Sequence, residues 1–442
     1  MSDNAHLNSG ALAALYKSKL VTAETAISTI VSGQAVAMGM AIAEPPALLA
    51  ALAAHVETAK LGQIQLWYFH SLIAAGSTVL RYEMIDRIRP HCMFLTAIER
   101  ELLKREGEDP ARSIEFVPTA FSESPRLFTE HVELDVFVTT VSPMDAHGWF
   151  TFGTGNDYST TAARTARRLI VEVNPNMPRV FGDSLLHVSE VDAIVENNTP
   201  LIELAFPPPS AEEEVIAKTI AAMIGDGACL QMGIGTLPNA VCALLEDRKD
   251  LGIHTELLTP AMARLVDCGA VTNRRKVTYK GRSVFTFAMG DRGFYDFLHD
   301  NPSLHSAPVQ VVNDPRHIAK NPDVVSVNAT LQVDLSGACN SEHVLGRQFS
   351  GAGGQLDFVR GACASPGGKS IIACESTAKK GTISRIVPAL DGPVTVPRND
   401  TQIVVTEYGA VDLRGLSLSA RAKALIGIAH PKFRAELETA AH

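Results

Sequence analysis

The fold turns on "LQMGIGTLPNAVCALL" (residues 230–245), where an apolar run meets two glycines, a proline and an asparagine before a helix-like run begins. A strand ending at Gly233-Ile234-Gly235 and passing into a helix after Pro238 brings bare backbone N–H groups to a helix N-terminus. Such a turn suits an anion or an oxyanion, because the amides point outward and the helix dipole favours negative charge. Glycine matters there because a Cβ would block close approach of a ligand. The motif is not G-x-G-x-x-G, since Asn239 and Ala240 follow Pro238, and it lacks the GK[ST] of a P-loop. From these residues alone, a purely structural strand-to-helix turn and a ligand-binding turn stand level.

The same chain writes "VAMGMAIAEPPALLAAL" at 36–52. Aligned without gaps, "GQAVAMGMA" (33–41) and "GACLQMGIG" (227–235) share a glycine, an apolar position and a Met-Gly. Each is followed by proline and an apolar, helix-like run, which predicts two structurally related halves. The boundary falls at Pro207, Pro208 and Pro209, which exclude regular structure. Ser210 and Glu213 then form a capping box for a new helix. The predicted domains are 1–206 and 210–442.

Short runs rich in β-branched residues alternate with longer helical ones. "LDVFVTTVS" (134–142), "RLIVEVN" (168–174), "VQVVN" (309–313), "SIIAC" (370–374) and "TQIVVTEYG" (401–409) read as buried strands. "PALLAALAAHVETA" and "PNAVCALLEDRK" read as helices. Apolar strands without polar alternation belong to parallel sheets covered on both faces, so the fold class is α/β. In such sheets ligand sites gather at the carboxyl ends of strands. The glycine-rich "FSGAGGQLDFVRGA" (349–362) and "TEYGAVDLRGLS" (406–417) can therefore share a crevice with 230–245.

Composition narrows the function. The 442 residues are 46% hydrophobic and 20% charged, with a net charge of −9, which argues against nucleic acid and anionic membranes as default partners. No apolar run approaches the roughly 18–20 residues needed to span a bilayer, and the N-terminus does not read as a signal peptide. The seven cysteines are widely spaced and contain no CxxC pair. That pattern predicts reduced thiols in a cytoplasm rather than a disulfide framework, and no metal site.

For chemistry, "GIHTELLTPAMARLVDCGAVTN" (252–273) places Glu256 between Ile253 and Leu257-Leu258. A carboxylate in that apolar setting is a stronger nucleophile or base than a solvated one. A helix-start glutamate assisting a cap competes with that reading and is preferred on local sequence alone. Cys268 has no adjacent basic partner and reads as a buried small hydrophobe. No G-x-S-x-G elbow is present. His147 and His187 read as core or turn histidines, and Lys379-Lys380 as a solvated turn that could instead meet a phosphate.

Taken together these motifs resemble the acetyl-CoA hydrolase/transferase family, most closely its 4-hydroxybutyrate and itaconate CoA-transferase branch. The resemblance rests on "VSPMDAHGWFTFGTGNDYSTTAA", "VNPNMPRVFGDSLLHVSEVDAIVE" and "TPLIEL" in the first half. In the second it rests on "QMGIGTLPNAV", "GIHTELL", "VSVNATLQVDLSG", "GAGGQLDFVRGA", "STAKKGTISRIVP" and "TEYGAVDLRG". It implies two related open α/β/α domains with mostly parallel sheets, the second carrying nucleophile and CoA site, and a homodimer or homotetramer. It makes Glu256 the nucleophile, reversing the local preference. It further implies that Gly233, Ile234, Gly235, Thr236, Leu237, Gly353, Gly354 and Lys379 bind CoA, that Asn328 helps bind the thioester oxygen, and that Glu407 is another active-site carboxylate. Two departures stand out: Thr259-Pro260-Ala261 and Ala338-Cys339 replace other residues usual in relatives and are expected to reshape the acyl pocket.

The implied reaction moves CoA from an acyl-CoA (acetyl- or succinyl-CoA) to a short-chain carboxylic acid such as 4-hydroxybutyrate, butyrate or itaconate. Glu256 attacks the thioester, expels the CoA thiolate and becomes an acyl-glutamyl anhydride. The thiolate then attacks the glutamyl carbonyl, releasing the donor acid and leaving a glutamyl-CoA thioester that the acceptor acid discharges. CoA is a substrate, with no tightly bound cofactor. A hydrolase of the same family, in which water resolves the intermediate, is the alternative. For a dicarboxylate acceptor, Arg179, Arg347 and Arg360 are candidates to meet the second carboxylate.

Overall fold

In a computed structural model that describes residues 9–105, 107–109 and 111–441, two parallel sheets each begin with one copy of the repeated motif. The chain forms two compact units. The first comprises 1–119, 123–203 and 286–310; the second comprises 120–122, 204–285 and 311–442. The chain changes unit at Glu203–Leu204, just before the proline run, but also sends 286–310 back to the first unit. No composition shift marks that excursion, so two uninterrupted halves are a simpler division than the one observed.

The sheet of the first unit has the order Glu115–Phe116, Ile88–Cys92, Ile64–Tyr68, Ala35–Met38, Val136–Val141, Arg168–Val173, Ala193–Glu196. Every pairing is parallel, with Val36 opposite both Leu66 and Val136. All six residues of Val136–Val141 are buried, as expected of a strand covered on both faces. Leu48, Leu49, Leu52 and Val56 of the helix Pro46–Thr58 pack on Val36, Met38, Ile64 and Leu66. Burial of each such side chain contributes roughly 1.5–3 kcal/mol.

The second unit's sheet runs Gly252–Ile253, Cys229–Met232, Val324–Ala329, Lys369–Ala373, Ile403–Thr406, Gly409–Asp412. Its pairings are parallel except the last, a hairpin. Ile372 and Val404 pack with Val359 of the helix Gln355–Ala364 and Leu425 of the helix Leu418–Ile428.

In both sheets the first strand, Ala35–Met38 or Cys229–Met232, has the next strand in sequence on one side and a later one on the other. The order therefore reverses beside each Met-Gly motif, and α/β sheets open a crevice at such a reversal. The capping box forms as read: Ser210 Oγ accepts from Glu213 N, and the Glu213 carboxylate accepts from Ser210 N.

The run 309–313 is a correction. Val309–Val312 is one helical turn, not a strand, because a run of four residues, three of them valine, carries no period that separates the two. Among the described residues no helix is long and apolar enough to cross a membrane.

Candidate active site

Glu256 lies between two short extended pieces, Gly252–Ile253 and Leu257–Leu258. It caps no helix; the next one starts at Pro260, capped by Thr259. The approach is fixed from several sides. Ile253 N donates to Asn273 Oδ1 at 2.9 Å, His254 N to Leu230 O at 3.1 Å, and Thr255 N to Val284 O at 3.0 Å. Buried Lys276 lays its stem over Gly252 and donates to Ile253 O at 2.6 Å and Arg282 O at 2.7 Å. Burial pushes that ammonium down to about 8.

The Glu256 side chain keeps partial exposure, while protein packs closely around the carboxylate. Its Oε2 accepts from Asn313 Nδ2 at 2.6 Å, and the Gly354 amide also donates to it. Desolvation, with a smaller push from Asp357, raises its pKa from 4.5 to about 7 against those two hydrogen bonds. A Cβ on Gly354 would sit 2.0 Å from Glu256 Oε2 and 2.1 Å from Asn313 Nδ2. Glycine is therefore required there by space; its φ is an ordinary −98°.

The turn after Met232 behaves differently. Gly235 has φ +128° and ψ −175° and caps the helix Thr236–Ala243, a backbone region essentially reserved for glycine. Around Gly233 a Cβ would meet nothing closer than Val327 O at 3.8 Å, and Ile234 is exposed. Ile234, Gly235, Thr236, Leu237 and Asn328 line one cavity of about 330 Å³. Asn328, at the carboxyl end of its strand, is held by buried Gln231 and Ser326: its Nδ2 donates to Gln231 Oε1 at 3.1 Å and to Ser326 Oγ at 2.8 Å. Gln355 Nε2 donates to Ala329 O at 3.2 Å, tying the helix that starts beside Gly354 to the end of Asn328's strand.

Lys379 and Glu407 line a second cavity of about 490 Å³, which shares Glu375 and Arg385 with the first. Glu407 accepts from both the backbone N–H (2.8 Å) and the hydroxyl of Ser376. Lys379, Lys380 and Gly381 have φ of +47°, +56° and +80°, a left-handed tip on the hairpin Thr377–Ala378/Ile383–Ser384. Thus Glu256 and Gly354 touch, the glycine turn joins Asn328, and Lys379 joins Glu407.

Family models for the N-terminal and C-terminal domains of acetyl-CoA hydrolase/transferase match residues 6–204 and 290–441. The chain belongs to the acetyl-CoA hydrolase/transferase family. Within it, the succinyl-CoA:cyclohexane-1-carboxylate CoA transferase of Geobacter metallireducens is 43% identical, covering 96% of this chain and 95% of that protein. The 4-hydroxybutyrate coenzyme A transferase of Clostridium kluyveri is 42% identical, covering 96% and 97%. Among solved structures, RipA from Yersinia pestis superposes with a TM-score of 0.95 at 56% identity, covering 97% of this chain and 98% of that one.

Family resemblance did not single out Asn313, Gln231 or Ser376. Asn313 ends the run misread as a strand, and nothing in its neighbours marks it as facing a carboxylate. Of the arginines suggested for a second carboxylate, Arg179 is paired with Asp145 and Asp300 and Arg360 with Asp400; Arg347 lies exposed on a hairpin. Cys339 packs with Val333, Ile386 and Val396. Neither Ala338-Cys339 nor Thr259–Ala261 lines the two cavities described.

Proposed function

We propose that this chain is a CoA-transferase that carries CoA from an acyl-CoA to a short-chain carboxylate through a glutamyl-CoA thioester on Glu256. The observation that carries the reading is the Glu256 carboxylate itself: desolvated, raised to about 7 and hydrogen-bonded by the Gly354 amide and Asn313. A carboxylate short of solvent is a better nucleophile toward a thioester carbon. The two donors on its oxygens are also placed to hold the negative charge that develops when thiolate attacks the glutamyl carbonyl. The turn Gly233–Leu237, with Asn328 across its cavity, is assigned to the CoA arm and the acyl oxygen. Lys379 and Glu407, beside Arg385, are assigned to more distant parts of CoA. Gly353 sets the left-handed entry, φ +59°, to the helix behind Gly354.

The similarity to CoA transferases acting on cyclohexane-1-carboxylate, 4-hydroxybutyrate and butyryl-CoA supports a transferase with a carboxylic acid as acceptor. 4-Hydroxybutyrate, butyrate and a small dicarboxylate such as itaconate are the acids to test. Intact-mass measurement after brief incubation with acetyl- or succinyl-CoA, then borohydride reduction and peptide mapping, examines the covalent step. A CoA-dependent change on the Glu256 peptide, absent in Glu256→Ala and discharged by an acceptor acid, is expected. CoA release into water without a need for acid would assign hydrolysis instead. Absence of both adduct and CoA release would sink the reading.

A further inference from the structure

In the segment Gly252–Leu258, His254 and Glu256 are two residues apart, on either side of Thr255, and the chain bends at Glu256. Both side chains meet the same short stretch, Val312–Asn313. His254 Nε2 lies 2.7 Å from Val312 O, and Asn313 Nδ2 lies 2.6 Å from Glu256 Oε2. Asn321 Nδ2 approaches His254 Nδ1 at 3.3 Å, so Nδ1 accepts and Nε2 carries the proton that is donated to Val312. The imidazole is fully buried. Asn321 in turn accepts from Val277 N and Thr278 N, which braces the imidazole from behind.

We infer that Asn313 is a positioning residue for Glu256 and that His254 is the pin that holds it in place. The inference rests on the reading of Glu256 as nucleophile. One peptide unit separates the carbonyl that His254 grips from the side chain that reaches the carboxylate. A rotation of that unit would therefore move the amide donor directly. Asn313 is itself fully buried, and its Oδ1 has no hydrogen-bond partner among the described residues, so the donation to Glu256 is the polar contact that holds its side chain. A buried acceptor left unmatched is destabilising, and a site built only for stability has no reason to keep it.

The charged groups facing Glu256 are few: Asp357 opposes its ionisation, while Asn313 and the Gly354 amide favour it. Lys276 and His317 face His254, and with burial they hold the imidazole neutral, its pKa lowered to about 3. The pin therefore keeps one protonation state near neutrality, where Glu256 titrates, while buried Lys276 loses its proton only toward about pH 8.

The test uses the full chain with Asn313→Ala, Asn313→Asp, His254→Phe and His254→Gln. kcat and KM for an acyl-CoA are measured over about pH 5–9, with trapping of the Glu256 adduct. Loss of the Asn313 donor removes an interaction that favours the carboxylate, so the acid limb of kcat moves to higher pH. kcat falls about 100-fold, the usual scale for a misplaced reacting group, with KM for acyl-CoA within about threefold. Asn313→Asp keeps the volume and adds like charge, which raises Glu256 further, so its acid limb moves to still higher pH and its loss is larger at acid than at alkaline pH. His254→Phe reproduces the Asn313→Ala phenotype, whereas His254→Gln, which retains an N–H, recovers most of the rate. The inference is overturned if folded Asn313→Ala or Asn313→Asp traps adduct at the parent rate with the parent acid limb. Absence of adduct in the parent enzyme would instead remove the nucleophile reading beneath it.

Discussion

Replacing Glu256 by glutamine is expected to stabilise the protein, and only above a defined pH. In the folded chain, burial and Asp357 raise this carboxyl from 4.5 to about 7. Folded protein thus binds more protons at this site than unfolded protein between those values, and stability falls as pH rises through that window. Below the unfolded value both states are protonated and the site contributes nothing unfavourable. Above the folded value the full cost is present, about 3 kcal/mol at about 1.4 kcal/mol per pH unit. Glutamine keeps the shape and a carbonyl acceptor for Asn313 and the Gly354 amide, and carries no charge at any pH. For a unit of this size each kcal/mol moves Tm by about 2–4 °C. Calorimetry should therefore show Glu256→Gln melting about 6–12 °C higher than the parent near pH 8 and level with it near pH 4.5. An equal difference at both pH values, or none at pH 8, would refute the idea that the Glu256 carboxylate is held in an environment hostile to its charge.

Gly354→Ala forces a Cβ about 1.3 Å inside an ordinary C···O separation of about 3.3 Å. Steady-state kinetics should show kcat lower by about 100-fold, with thermal stability changed far less. Gln231→Leu removes one of the two groups holding Asn328. It should lower kcat about tenfold, and strands the Ser326 hydroxyl at about 1–3 kcal/mol, read by urea unfolding. Gly235→Ala asks a side chain to adopt φ +128°; a loss of about 1–3 kcal/mol and a raised KM for acyl-CoA, with KM for the acid unchanged, are expected. Restoration of KM by a shortened acyl-pantetheine substrate would contradict the assignment of this turn to the arm of CoA.

Much of the fold was legible because the strands are apolar on both faces. Val136–Val141, Arg168–Val173 and Ile403–Thr406 fall inside runs that read as strands, and Lys369–Ala373 starts one residue before the run 370–374. The duplicated Met-Gly turn also announced two sheets of related topology. Val309–Val312 was misread because so short a run has no period, and its single turn is set by its surroundings. The excursion 286–310 was invisible for a similar reason: membership of a unit is decided by contacts far apart in sequence. Within the site, residue type and spacing raised the glycine turn only as one of two level readings, and Glu256 was singled out by the family resemblance against the local preference. Asn313 and Gln231 carry no such signal. An amide side chain becomes part of a site only through the atom it meets, and Glu256 lies 57 residues from Asn313.

The two Met-Gly turns occupy corresponding places, yet their glycines answer to different demands. At Gly39 a Cβ would fall 2.3 Å from Thr139 Oγ1 and 2.6 Å from Ala43 O; at Gly233 it would make only ordinary contacts, the nearest at 3.8 Å. In a deep mutational scan scored by cellular abundance, position 39 would be intolerant and position 233 permissive. Scored by growth on the substrate acid, the two would look alike. The difference between the scans would therefore separate the glycine that packing requires from the one that the proposed ligand turn requires.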